Sequence, residues 1–320
     1  MPPRYHNRRR TIGVSRRRKF TSSRYRKPRR ATRRAYRKPI RRVSRRRMIN
    51  MLSKKKRDTM LSSAGSGVNP PPDSTPTGSS IIISPFTSTT NLFESGVHSL
   101  IFTPSMKPLT PSNATFVAQR TNTYCYYKGF AETYTFLPND NSVWWHRRIV
   151  FSSRRRFAEL NQITSGSGTL APAVTAGGIS RRKFKDMSET SGLDGFNDIQ
   201  ALIIAEVFRG AYNTDWADPL RARLDTTKIN VHSDRLVTLR SGNDVPAPRI
   251  VKHYTPINKT IVYDDEEIGV GMQSSYYAVQ GKPGIGDLYV LDFFECPVPN
   301  DTTTTTLNIS SQFTSYWHEK

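Results

Sequence analysis

The chain has 320 residues, 49 of them basic and 25 acidic, for a net charge of +24 at pH 7. Residues 1–57 hold 20 Arg, 6 Lys and no Asp or Glu, so the remaining 263 residues, with 23 basic and 25 acidic side chains, are close to neutral. Two cysteines and no apolar run near ~18 residues argue against a disulfide framework and a membrane-spanning helix.

Residues 1–57 contain too little apolar surface to offset an ordering cost of about 1–2 kcal/mol per residue, and their like charges repel. They are expected to form a disordered arm. Arg outnumbers Lys, which suits forked contacts to phosphate, and Tyr5, Phe20, Tyr25 and Tyr36 are interleaved for stacking on unpaired bases. Nucleic acid is therefore the expected partner, bound mostly without sequence preference. The clusters that would hold it are Arg8, Arg9, Arg10, Arg16, Arg17 and Arg18, then Arg29, Arg30, Arg33 and Arg34, then Arg41, Arg42, Arg45, Arg46 and Arg47. Lys54, Lys55, Lys56 and Arg57 spell "KKKR", which with Arg41 and Arg42 upstream matches a nuclear-targeting signal for import receptors.

Asp58 is the first acidic residue and ends the run. Residues 62–80, "SSAGSGVNPPPDSTPTGSS", are dominated by Ser, Gly and Pro, so 58–80 is expected to be a flexible linker. At its start Met60 and Leu61 are expected to anchor the arm against the body. Residues 81–320 are long enough for one domain with its own core.

Strand signals fill that domain. "TYCYYKGFAETYTFL" (123–137) places Tyr124, Tyr126, Phe130, Tyr134 and Phe136 on one parity, which predicts an aromatic face interrupted by Lys128 and Glu132. "VWWHRRIVFSS" (143–153) is a second strand. Its Arg147 and Arg148, with Arg154, Arg155 and Arg156 just beyond, form a possible secondary nucleic-acid surface beside Trp144 and Trp145; the alternative is core tryptophans and ordinary surface arginines. Arg181, Arg182 and Lys183 make a third basic run. Residues 195–205 read as a short helix or as a strand. "RLVTLR" (235–240), "KTIVYDD" (259–265), "DLYVLDFFEC" (287–296) and "TLNISSQFTSYW" (306–317) are further strands, separated by Gly-, Pro-, Asn- and Asp-rich turns. The pattern predicts an all-β sandwich or barrel.

Enzyme signatures are sparse. The six histidines form no HxH or HxxxH spacing, there is no CxxC, and no glycine loop has the phosphate-binding order. Asp264, Asp265, Glu266 and Glu267 are the one acidic cluster. Four consecutive carboxylates on a strand alternate sides, so a solvated loop or salt-bridge site is favoured over a cation site. No enzyme activity, cofactor or metal is expected.

A polybasic arm, a linker and a β-sandwich suggest a viral shell protein whose arm neutralises a genome. Sixty arms of this charge would balance roughly 1.5 kilobases of single strand. "RRRMINMLSKKKRDTML" (45–61) and "PINKTIVYDDEEIGVGMQSSYYAVQGKPGIGDLYVLDFFEC" (256–296) resemble capsid proteins of genomoviruses, the gemycircularvirus-like small circular single-stranded DNA viruses; "DWADPLRARLDTTKINV" (215–231) and "LRSGND" (239–244) fit the same family. The resemblance implies a viral jelly-roll sandwich behind a disordered Arg-rich arm. It also implies a T=1 icosahedral capsid of sixty copies, packaging of a single-stranded DNA genome, and location in the virion and the host nucleus. The chain lacks the Cys/His cluster of the related geminivirus capsids, so no zinc site is carried over. The alternative is a cellular nucleic-acid-binding protein, ribosomal or chromatin-like, with a basic tail and no shell.

Overall fold

The computed structural model describes residues 44–64, 80–85, 93, 96–107, 109, 118–157, 173–174, 180–187, 196–241, 245–301 and 304–319. The chain divides into Met1–Ser44 and Arg45–Lys320, and the architecture is that of the second unit.

Helix α1, Arg45–Leu52, is built from Arg, Met and Leu, which are good helix formers. The Ser53 hydroxyl bonds back to the Asn50 carbonyl at 3.3 Å, and strand β1, Lys54–Ala64, starts at once. This corrects the expected layout at its junction. Residues 45–57 of the expected disordered arm and 58–64 of the expected linker are helix and strand. The physical reason is alternation: Lys56, Met60 and Ser62 are buried while Lys55, Arg57, Thr59 and Leu61 are exposed, so one side of β1 meets the core. Of the two expected anchor residues, Met60 is buried and Leu61 is 52% exposed. The rest of the arm, 1–43, and of the linker, 65–79, lies outside the described residues.

Strands β2 (Ser80–Ile83), β3 (His98–Phe102), β4 (Tyr124–Pro138), β5 (Val143–Ser153), β6 (Ala173–Val174) and β7 (Ser180–Asp186) follow. Residues 196–207 then settle as helix α2, Phe196–Val207. Gln200, Ile203, Ile204 and Val207 recur at helical spacing and are all buried, a pattern no strand would give. The chain ends with β8 (Asn230–Leu239), β9 (Arg249–Val262), the short hairpin β10 (Glu266–Ile268) and β11 (Gly271–Gln273), β12 (Asp287–Val298) and β13 (Leu307–Glu319).

The described chain is mostly β-sheet, as expected. One hydrogen-bonded path runs β8-β5-β12-β3-β7-β1-β13-β4-β9, with β2 also on β13 and β6 on β7. Its pairings are antiparallel except β1 with β7. Two four-stranded layers, β8-β5-β12-β3 and β1-β13-β4-β9, contribute to the same cores: Phe102, Val150 and Val290 of the first meet Met60, Phe130 and Phe313 of the second. The first layer is covered on its other side as well. There Ile149, Phe151, Leu291 and Phe293 pack with Ile203, Val207 and Phe208 of α2 and the residue after it. That is why β5 and β12 read as nearly continuous buried runs while β9 alternates.

The expected single-parity aromatic face of β4 is corrected. Cys125 and Tyr127 point inward, then Phe130, Tyr134 and Phe136 do; Tyr124 is 60% exposed. A bulge between Tyr127 and Gly129 adds one residue, Lys128, and switches the side-chain parity. Gly129 has φ 152°, and a Cβ there would stand 2.4 Å from the Thr255 carbonyl oxygen, so only glycine fits the crossing. β9 also starts ten residues before its expected beginning. Pro256 masked it; it stands opposite Gly129 on a strand at the end of the sheet path, where a proline is tolerated.

Candidate nucleic-acid interface

Among the expected nucleic-acid residues, Arg8 to Arg42 lie outside the described residues. Arg45, Arg46 and Arg47 sit on α1, with Arg47 exposed. The nuclear-targeting run splits. Lys54, Lys55 and Arg57 are exposed, but Lys56 is buried.

Lys56 belongs to a clamp that fixes β1 to the body. Its ammonium donates to the Gln119 carbonyl at 2.7 Å and the Thr121 hydroxyl at 2.8 Å, and pairs with Glu319 at 2.9 Å. All three of its N–H donors are therefore used. Glu319 also accepts from the Thr121 hydroxyl at 2.6 Å and the Trp317 indole at 2.7 Å. Burial works against the Glu319 carboxylate, but Thr121, Trp317 and Lys56 outweigh it and hold its pKa below the ordinary value. Two residues along β1, Asp58 accepts from Lys107 at 2.6 Å, and that ammonium lies 4.8 Å from the Trp317 ring. Burial is the larger influence on Lys107 and lowers its pKa; the Asp58 carboxylate opposes it.

Beside this pair, Arg120 is wholly buried. It bonds Asp265 through both terminal nitrogens, at 2.5 and 2.9 Å, and the carbonyls of Lys107, Asn122 and Ser275 at 3.1, 3.2 and 2.8 Å. All five guanidinium N–H groups are engaged, and the plane lies 3.8 Å from the Tyr263 ring centre. Burial opposes the Asp265 charge, yet Arg120, the Ser275 N–H and the Thr123 hydroxyl keep its pKa lowered. The basic run thus stops at Asp58 because β1 there has entered the body, where each charge faces an opposite one.

The secondary surface expected at Arg147 to Arg156 is not one surface. β5 presents its even positions to the space between the layers and its odd positions to α2. Arg148 therefore reaches Glu132 at 2.6 Å in the interior, where Asp292 also holds His146 at 2.9 Å and Tyr134 at 2.8 Å. Arg147 goes the other way, to both oxygens of Asp234 at 3.0 and 2.8 Å and to the Pro219 and Ala222 carbonyls. These two arginines are structural cations with no exposed guanidinium in the subunit, and Trp144 is core. Arg154 and Arg155 are exposed, the latter paired with Glu206 at 3.1 Å, and Arg156 pairs with Asp264. Arg181, Arg182 and Lys183 lie on β7 between β3 and β1. Lys128 and Glu132, which interrupt the expected aromatic face, are separated by the bulge: Lys128 donates to Asn258 at 2.6 Å and Glu132 is buried with Arg148.

The acidic cluster also disperses. Asp264 and Asp265 turn to different arginines, while Glu266 and Glu267 sit exposed on β10. Among the described residues no group of His, Cys, Asp and Glu is arranged to hold a metal ion.

Sequence reasoning missed the clamp residues Lys107, Arg120 and Glu319. A usable signal existed for one of them: Glu319 shares the parity of Phe313 and Trp317, so a carboxylate on that side of β13 must be buried and needs a cation. The chain matches no protein-family model and no curated protein.

Proposed function

We propose that the chain is the capsid subunit of a small single-stranded DNA virus. In this reading the two β layers form a jelly-roll shell domain, sixty copies close a T=1 icosahedral particle, and residues 1–53 bind the packaged genome. The particle enters the host nucleus through the basic run that ends at Arg57. One observation carries the reading: residues 1–53 hold 22 basic side chains and no acid, and they precede a strand that is locked into a β body by buried ion pairs, while the rest of the chain is close to neutral. A tether of that kind holds a polyanion-binding segment against outward pull, which a loosely joined solubilising tail does not require.

Negative-stain electron microscopy of the purified full-length chain tests it. Uniform round particles of about 20 nm, the size expected for sixty ~36 kDa subunits of a single-layer shell, are the expected result. Monomers that bind single-stranded DNA without closing a particle, under conditions varied over salt and pH, overturn the shell and leave a cellular-type nucleic-acid-binding protein.

A further inference from the structure

Among the described residues, the outward side of the β1-β13-β4-β9 layer carries no acidic residue. The three carboxylates of those strands, Asp58, Glu132 and Glu319, all point inward, to Lys107, Arg148 and Lys56. The outward positions instead carry Lys55, Arg57, Lys128 and Lys252, all exposed.

Strand registers interleave these cations with rings. Lys55 lies opposite His318, which lies opposite Tyr126, the two rings 6.0 Å apart. Arg57 lies opposite Tyr316 in the next row, and Tyr316 lies opposite Gly129, beside the bulged Lys128. Tyr254 of β9, 51% exposed, brings its hydroxyl against the same glycine. Lys252 is two residues further along β9. Neighbouring strands are about 4.8 Å apart and same-side residues recur every ~6.8 Å, so a cation and a ring are within one side-chain length of each other throughout this end of the layer. The exposed aliphatic residues begin where this end stops: Leu61 shares the row of Lys252, Ile250 is in the next row, and Ile82 and Leu137 lie beyond it.

We propose that this basic and aromatic end is a second nucleic-acid site, a track for a single-stranded polynucleotide. Its phosphates pair with Lys55, Arg57, Lys128 and Lys252, and its bases stack on Tyr126, Tyr254 and Tyr316. A flat sheet with exposed rings suits unpaired bases, and an acid-free surface suits a polyanion better than a second copy of a near-neutral body. Lys55 and Arg57 are in sequence the last residues of the acid-free run that ends at Arg57. The inference rests on the capsid reading and adds to it which side of the subunit faces the genome.

The test uses the full-length chain and an iododeoxyuridine-substituted 40-mer of single-stranded DNA, cross-linked by ultraviolet light and mapped by mass spectrometry. Cross-links at Tyr126, Tyr254 or Tyr316, beside those in the arm, are expected. A companion K128A/K252A variant, changed only at exposed side chains, should keep its thermal midpoint and lose about 1.4 from the log–log salt slope, at about 0.7 per phosphate. Cross-links confined to residues 1–53, or an unchanged slope, overturn the track while leaving the arm's role standing. Failure of the unaltered chain to bind the 40-mer overturns both.

Discussion

Lys56 shows how a residue's neighbours in sequence can mislead about its work. It sits in a run of four cations that reads as a targeting signal, yet it is the partner of Glu319 and has almost no exposed surface to offer a receptor. Removing it strands a buried carboxylate. Lys56→Ala is expected to cost about 3–5 kcal/mol, whereas Lys54→Ala, at an exposed position, should stay within about 0.5 kcal/mol. Urea unfolding of the two variants checks the contrast, and equal midpoints would remove the clamp. A targeting experiment on the folded chain should therefore change Lys54, Lys55 and Arg57 and leave Lys56 in place. Gly129 is the second residue with a structural duty. An alanine there puts a methyl group onto the Thr255 carbonyl, so Gly129→Ala is expected to lose at least about 1–3 kcal/mol in the same measurement.

At the scale of elements, β4, β5, β9 and β12 enclose a polar core within an apolar one. Asp292 joins His146 and Tyr134, and Arg148 joins Glu132. His253 of β9 is buried with neither ring nitrogen hydrogen-bonded, its ring 6.0 Å from that of Tyr134. Burial, then Arg148 and His146, with a smaller push from Arg235, lower its pKa to about 4; Asp292 alone opposes them. His232 is lowered to about 4 by burial and by Lys259. The sign follows from linkage. Between pH 6.5 and about 4 the unfolded chain takes up protons that the folded chain refuses, so stability falls as the pH drops through that window. Thermal midpoints measured from pH 7 to 4.5 should decline, and His253→Phe should flatten the decline. A midpoint that holds steady or rises on acidification would show that these imidazoles accept protons in the folded state.

For the whole molecule, the division of charge makes a prediction about parts. A chain lacking residues 1–43 keeps α1, β1 and the clamp, so its thermal midpoint should match that of the full-length body. It loses 16 Arg and 3 Lys, and its affinity for a 40-mer of single-stranded DNA in 100 mM salt should fall on the order of 100-fold, with a shallower salt dependence. Filter binding across a salt series measures both, and an unchanged affinity would move nucleic-acid binding off the arm. Much of the class was legible beforehand: the Tyr-, Phe-, Val- and Thr-rich runs of β4, β5, β12 and β13 and the turn residues between them marked an all-β body, because those signals are local. The helix–strand ambiguity at 195–205, the parity switch at Lys128, the start of β9 and the fate of each arginine in 147–156 were not. Each depends on what packs against the segment from far along the chain. Sequence by itself determined where the excess charge lies and that the body is β, since charge and side-chain period are properties of neighbouring residues. Only the tertiary structure decided that Lys56, Arg147 and Arg148 are internal cations and that one side of a layer is free of acids, since burial and charge pairing are set by contacts between residues as far apart as 56 and 319.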